Sequence, residues 1–268
     1  MKISIIISKQ DLAGMNIANH LDKINITYNL IGQHSINFEQ ELLEKDKRLA
    51  DSDFIIFATT HKSEKGTKSL TCHAPGNWRD AKLGGKSGKL CKTSPLFLKQ
   101  LFITLNEEAK KHNWQYEVSM ECTHHGPLIN TPCCFLEIGS SEEGWKDEQA
   151  GRIIAETIKQ VISSKINKTF TPALGIGGKH YCPNFNKIQL NSNYALGHII
   201  PEYALPLTEE MLREALEKSF EKPEIAILDW KAIGKAEERQ KLIAILDKFN
   251  LKYIRTSEIY RETNNSQD

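Results

Sequence analysis

Two adjacent histidines mark the stretch of this chain best suited to chemistry. Thr123-His124-His125-Gly126-Pro127 precedes Cys133-Cys134-Phe135-Leu136-Glu137-Ile138, an apolar run with a single carboxylate. Gly139-Ser140-Ser141-Glu142-Glu143 then turns toward a helix. Imidazole has the unperturbed pKa nearest neutrality, and its neutral ring is a common metal ligand. A helix N-terminus offers unpaired N–H groups to an anion. The combination suits hydrolysis of a substrate that carries phosphate or carboxylate oxygens.

Three more histidines share the context of His124 and His125. His73, His180 and His198 each lie beside Gly or Pro, in Cys72-His73-Ala74-Pro75-Gly76-Asn77-Trp78, Gly177-Gly178-Lys179-His180-Tyr181-Cys182-Pro183 and Gly197-His198-Ile199-Ile200-Pro201. A single such histidine is more often a surface or satisfied core residue; four loops of one kind point to a shared site. His20, His34, His61 and His112 lack this context and are read as structural or solvated. The chain has no His-Glu-x-x-His and no histidine pair at helical i, i+4 spacing. A zinc ion would need ligands gathered from separate loops, with one position left for water. The spacing does not separate such a site from a metal-free acid/base site. Glu137 and Glu121 are candidate bases, metal ligands or orienters of histidine; burial would raise their pKa and a nearby cation would lower it. The competing reading puts Glu137 on the solvent face of an edge strand.

Nucleotide-cofactor motifs are absent. Leu83-Gly84-Gly85-Lys86-Ser87-Gly88-Lys89 lacks the ending of a P-loop, and Gly175-Ile176-Gly177 has His180 where a dinucleotide fingerprint needs Gly. Lys86 and Lys89 could instead hold a nucleic-acid backbone, or simply be solvated. None of the six cysteines forms Cys-x-x-Cys, which disfavours a structural zinc ribbon. Cys133 and Cys134 should point to opposite faces of a strand. The cysteines read as reduced, buried small hydrophobes, with Cys72 beside His73 as the one alternative nucleophile.

These groups need elements to position them. Apolar residues make up 40% of 268, enough for a sizeable core, and the net charge of +1 confines any nucleic-acid contact to a local patch. Strands are expected at residues 2–7, 54–58, 116–122, 133–138, 173–176, 224–229 and 251–254. Helices are expected after Asp11, over 38–49, from Ser94-Pro95, from a capping box of Ser140 and Glu143, from Thr208, and over 236–249. Residues 60–93 read as irregular. The pattern is α/β: a mixed, largely parallel central sheet with helices on both faces and a ligand beyond the strand carboxyl ends. It reads as one catalytic domain, 1–268, with 261–268 a polar tail. No signal peptide or membrane span is recognisable, so a cytoplasmic protein is expected.

The histidine segments resemble the archaeal- and plant-type D-aminoacyl-tRNA deacylases. The matching runs lie at 73–78, 121–127, 135–145, 173–181 and 197–201, in order and at matching spacing over nearly the whole chain. The double histidine followed by Phe135-Leu136-Glu137-Ile138-Gly139-Ser140-Ser141-Glu142-Glu143-Gly144-Trp145 is specific. The chain departs from the family pattern at Asn186, where the family has Thr, and at Glu202, often Lys. The resemblance implies hydrolysis of the ester between a D-amino acid and tRNA, as chiral proofreading with broad side-chain tolerance. It also implies zinc, a monomer, and a core like those of peptidyl-tRNA hydrolases and nucleoside phosphorylases. On this basis His73, His124, His125 and Glu137 are expected to hold the water or metal. His180 and His198 would assist proton transfer or complete the coordination. N–H groups near Gly139, Ser140 and Ser141 would bind the oxyanion or terminal phosphate. Lys86 and Lys89 would meet the acceptor end, with Trp78 stacked on the terminal adenine. A metal-free module binding the tRNA acceptor stem, or a hydrolase of a small peptide or nucleoside, remains open at this point.

Overall fold

Apolar strands alternate with capped helices along the computed structural model, which describes residues 1–64 and 66–265. The first half runs β1 (Ile3–Ser8), α1 (Leu12–Lys23), β2 (Asn29–Ile31), α2 (Gln40–Lys45), β3 (Phe54–Thr60), β4 (Ser69–His73), α3 (Pro95–Lys111) and β5 (Glu117–Met120). Then come β6 (Cys133–Gly139), α4 (Glu142–Trp145), α5 (Glu148–Ser163), β7 (Thr171–Gly178), α6 (Pro183–Asn191) and β8 (Tyr194–Pro201). The chain continues through α7 (Glu209–Glu217), β9 (Ile225–Leu228), α8 (Ala236–Lys248), β10 (Lys252–Arg255) and α9 (Thr256–Asn265).

The strands form two sheets rather than the one expected. Six pair in the order β2-β1-β3-β6-β4-β5, and four in the order β10-β9-β7-β8. Every named pair is parallel except β4 with β6, so the larger sheet reverses direction there. One apolar cluster spans both sheets, from Ile5, Ile56 and Leu136 through Phe97 and Phe102 of α3 to Ala173, Leu196 and Ile227. Helix α3 touches β4 and β5 on one side and β7 and β8 on the other. Its start is as expected: Ser94 Oγ accepts from Phe97 N at 3.1 Å, with Pro95 opening the first turn.

The two faces of the larger sheet differ, and the difference positions the site. Along β6, Cys134, Leu136 and Ile138 face the large cluster. Cys133 and Phe135 face a smaller one with Ile55, Phe57, Phe38, Leu43 and Leu49. The paired cysteines thus point to opposite faces. Glu137 is the next residue on the second face, flanked by Thr59 of β3 and Thr71 of β4. Among the described residues, that face is covered by a 3₁₀ turn (Ser35–Asn37), the six-residue α2 and loops. The thin cover leaves a cavity where the face turns polar.

Several expectations are corrected. The helix expected at 38–49 is only Gln40–Lys45. The expected Ser140–Glu143 capping box does not form: Ser140 Oγ donates to Thr67 O at 2.7 Å, and the helix divides. Asp147 is the stronger cap, accepting from Gln149 N and Ala150 N to start α5. The stretch 60–93 contains a strand, β4. Helix α9 reaches Asn265, into the stretch read as a tail, and residues 266–268 lie outside the described residues. Among the described residues, no helix is long and apolar enough to cross a membrane.

Candidate active site

His73 closes β4, opposite Phe135 of β6, and its ring stacks on Phe135 with centroids 5.3 Å apart. The loop after it is stapled to the double-histidine loop by Gly76 N, which faces His124 O at 3.2 Å and His125 O at 2.7 Å. Gly76 adopts φ +152°, and a Cβ there would lie 2.5 Å from Leu90 Cδ2, so no other residue fits. Gly126 is held as tightly: a Cβ would meet Ile36 O and Gly85 N, each at 2.4 Å. These contacts bring three imidazoles together. His73 and His124 stack at 4.2 Å, with His125 4.3 Å from His124 and 4.8 Å from His73.

Backbone carbonyls fix which nitrogen of each ring is free. His73 Nδ1 lies 3.1 Å from Ala74 O, His124 Nδ1 2.8 Å from Cys122 O, and His125 Nδ1 2.6 Å from Gly126 O. A carbonyl only accepts, so each Nδ1 carries a proton and Nε2 is the atom each neutral ring can offer as a lone pair. His73 Nε2 is buried without a hydrogen-bond partner. One ligand atom from each of the three rings lies within 4.8 Å of the other two. A buried orphan nitrogen among converging imidazoles fits a zinc ion, and the carbonyl bonds are the outer support such ligands normally have.

Two buried carboxylates adjoin the rings. Glu137 Oε2 lies 3.6 Å from His73 Nε2 and 3.7 Å from His61 Nδ1. Glu121, just past β5, lies 3.0 Å from His180 Nε2, 3.1 Å from His61 Nδ1 and 3.5 Å from His124 Nε2. Among the described residues neither Glu121 oxygen has an aligned donor, so its contact with His180 is charge pairing. His61 Nε2 meets Tyr181 OH at 2.9 Å.

The environments separate these groups in pKa. Burial acts to raise the Glu121 carboxyl, but the His180 contact and the rings of His124, His61 and His73 outweigh it and hold it well below the usual carboxylate range. Glu137 moves up: burial lifts it, and the pull of His73 does not cancel the push of burial and Glu121. Burial acts to lower His73, yet Glu137 carries it above an ordinary imidazole. His124 and His125 are driven down by burial and by neighbouring rings, His125 to about 3. Burial also opposes charge on His180, but Cys122 and Glu121 push it up to about 10. Near neutrality the metal-free site therefore has neutral His124 and His125 and a charged Glu121–His180 pair, with His73 and Glu137 each raised beside the other.

Two cavities meet at His124 and His125. One, about 580 Å³, is lined by Asp11, Leu12, His34, Thr59, His61 and Glu137 among others. The other, about 320 Å³, lies against Trp78, Lys82, Thr123 and Tyr203. Leu83 borders both.

The structure brings together His73, His124, His125, Glu137 and His180, all expected at the site. It adds His61, which the sequence reading set aside, and gives Glu121 a central place. His198 lies elsewhere. It is 1% exposed; its Nε2 donates to Lys218 O at 3.3 Å, so its Nδ1 accepts from Thr123 Oγ1 at 3.2 Å. Both nitrogens are used, and the ring supports the residue before His124. Trp78 is 6% exposed and packs with Leu90 and Leu174, so it offers no face to an adenine. Gly139, Ser140 and Ser141 do not line either cavity, because the His61 ring lies against Gly139. Lys89 is paired with Glu214 at 3.0 Å, whereas Lys86 is exposed. Cys72 faces the large apolar cluster, and burial pushes its thiol up, which removes it as a nucleophile. Asn186 is a tie rather than a substrate contact: it accepts from Met120 N and donates to Ser119 Oγ and Tyr181 O.

A family model for D-aminoacyl-tRNA deacylase matches residues 49–254. The chain belongs to the D-aminoacyl-tRNA deacylases. The D-aminoacyl-tRNA deacylase of Thermococcus kodakarensis is 36% identical over 95% of this chain and 100% of its own length. That of Pyrococcus abyssi is 39% identical over 79% of this chain and 77% of its own. The crystal structure of a conserved protein of unknown function, AF0625, superposes with a TM-score of 0.86 at 29% identity, covering 97% of each chain. The deacylase is thus a hydrolase of the aminoacyl-tRNA ester bond, with the mixed α/β fold the sequence implies. Family membership decides against both the acceptor-stem binding module and the peptide or nucleoside hydrolase.

Proposed function

We propose that this deacylase cleaves D-aminoacyl-tRNA in the basin formed by His73, His124, His125, His61, His180, Glu121 and Glu137, with zinc held by the Nε2 atoms of His73, His124 and His125. The observation that carries this is the trio of Nδ1–H groups committed to carbonyls, which leaves three lone pairs converging beside buried carboxylates. Zinc at such a site supplies a water whose pKa is lowered toward neutrality.

The chain's own groups do the rest. Ester hydrolysis needs a base for water, stabilisation of the oxyanion, and a proton for the leaving ribose oxygen. Glu137, lifted by burial and partnered by His73, is the base. His180, held charged by Glu121, stabilises the oxyanion and donates to the leaving oxygen. His61 bridges Glu121, Glu137 and Tyr181 and orients both carboxylates. The larger cavity, about 580 Å³ and lined by apolar Leu12, Ile36 and Leu83 together with polar Gln10 and His34, suits amino acids of many sizes. Every group comes from one chain, so the reading needs no second copy and fits a monomer acting where tRNA is charged, in the cytoplasm.

The test is a paired assay on D- and L-tyrosyl-tRNA with zinc content measured on the same sample. Release from the D form should far exceed release from the L form. Chelated, metal-free enzyme should be inactive and recover with zinc. Equal rates on both forms would sink the stereospecific reading; full activity without metal would return the three histidines to acid/base roles.

A further inference from the structure

The smaller cavity contains an aromatic ring that the reaction chemistry leaves unused. Tyr203 is 65% exposed, in a 3₁₀ turn (Glu202–Ala204) directly after β8. Exposed tyrosines are ordinary when mobile; this one is held at both ends. Its hydroxyl lies 3.8 Å from Cys122 Sγ, one residue from Glu121. Its turn is clamped from the other side by Arg79, whose guanidinium donates to Ala204 O at 3.1 and 2.9 Å and to Pro206 O at 2.8 Å. The open ring lines the cavity that His124 and His125 also border. Lys82 and Asp80 stand at the same rim, both exposed.

We propose that Tyr203 is the stacking platform for the adenine of the tRNA 3′-terminal adenosine. The inference rests on the deacylase reading above and deepens it. Ester and base are attached to one ribose, so an ester placed over the histidines must have its adenine in an adjoining cavity. Of the two cavities, the larger suits the amino acid; the smaller has a fixed aromatic face. Base–aromatic stacking needs such a face, and one that is held rigid loses little entropy on binding. Lys82 at the rim can meet the 5′ phosphate of the same nucleotide as a point charge. Trp78, the aromatic expected from the sequence for this task, is buried beneath the same cavity and buttresses it.

The experiment measures KM for D-tyrosyl-tRNA together with the affinity for adenosine 5′-monophosphate, read by calorimetry and as competitive inhibition. Tyr203→Ala should raise both constants by the same factor, roughly 5- to 150-fold for one stacked base. Tyr203→Phe should restore both, and Tyr203→Leu should resemble alanine, because the aromatic face is what binds. Unchanged constants in Tyr203→Ala would overturn the proposal. So would a Tyr203→Phe variant as weak as alanine, since the hydroxyl at Cys122 would then be the group that matters. Failure of the underlying reading looks different: wild-type protein would release nothing from D-tyrosyl-tRNA, while calorimetry with the nucleotide would still test Tyr203.

Discussion

His124 and His198 have the same surroundings in the sequence and opposite situations in the fold. Each sits next to glycine or in a Gly-Pro loop, and each is enclosed. At His124 one nitrogen is fixed by Cys122 O while the other faces His73, His125 and Glu121. At His198 the ring is saturated, between Thr123 and Lys218. A histidine whose second nitrogen has only other titratable groups for company is available for chemistry. One with two ordinary partners is a strut. They belong to different sheets: His124 lies in the loop after β5, the edge strand of the larger sheet, and His198 lies within β8 of the smaller.

The largest expected effect lies on the His124 side. His124→Ala, His125→Ala and Glu137→Ala should each reduce turnover by ~10²–10⁴ with melting temperature near that of the wild type, as for loss of a positioned acid or base. Should all three stay within a few-fold of wild type, the contrast with His198 is broken. Next are the residues that orient the site. Glu121→Gln and His61→Ala should reduce activity or zinc affinity by about 10- to 100-fold, the usual effect of disturbing the groups around metal ligands. Unchanged zinc affinity and rate in both variants would leave the Glu121 contacts without a role.

His198 should behave in reverse. His198→Ala leaves Thr123 Oγ1 and Lys218 O without this partner in a buried place, a loss of about 1–3 kcal/mol, with turnover less affected than in His124→Ala. Stability should also depend on pH through this ring. Burial holds His198 at about 4, below its ordinary 6.5, so the folded state disfavours its proton. The neutral ring's contribution is present above pH 6.5 and is lost as pH falls toward 4, by about 3 kcal/mol in total. His125, lowered to about 3, acts in the same direction. Urea unfolding of wild type and His198→Gln at pH 7, 5.5 and 4.5 checks this. Parallel losses in the two proteins would show that His198 is not the titrating group.

How far the sequence foretold this follows from which interactions are local. Strands such as Phe54–Thr60 and Cys133–Gly139 were legible because both faces are apolar and buried. Ser69–His73 was not, since five residues with two apolar positions resemble the Gly- and Lys-rich stretch around them. The division into two sheets depends on which edges pair, which no local pattern records. The histidine cluster was legible through its Gly- and Pro-flanked loops. His61 was missed because it lacks that flank; the signal was its place directly after Phe54–Thr60, at the carboxyl end of a central strand. Trp78 was expected to stack on an adenine, but its burial, which residue type does not record, hides the ring, while Tyr203, to which the sequence reading gave no role, is 65% exposed.

The smallest expected effect concerns the lysines, and the structure splits a pair that the sequence treats alike. Lys89 is bound to Glu214, whose other oxygen accepts from Leu90 N at 3.1 Å. That lysine anchors its loop against α7 and is not free to follow a phosphate. Lys86 is exposed in the same loop. A lysine that neutralises a phosphate contributes about one unit to the slope of log affinity against log salt. Lys86→Ala should therefore raise KM for charged tRNA a little and flatten its salt dependence by roughly that unit, with kcat unchanged. Lys89→Ala should leave the slope alone and lower stability by less than about 1 kcal/mol, as for a partly exposed ion pair. KM measured between 50 and 200 mM salt, a range in which phosphate contacts weaken strongly, resolves the two. A flattened slope in Lys89→Ala would mean that the Glu214 pair opens when tRNA binds. An unchanged slope in Lys86→Ala would move the tRNA path off this loop, toward Lys82 at the rim of the Tyr203 cavity.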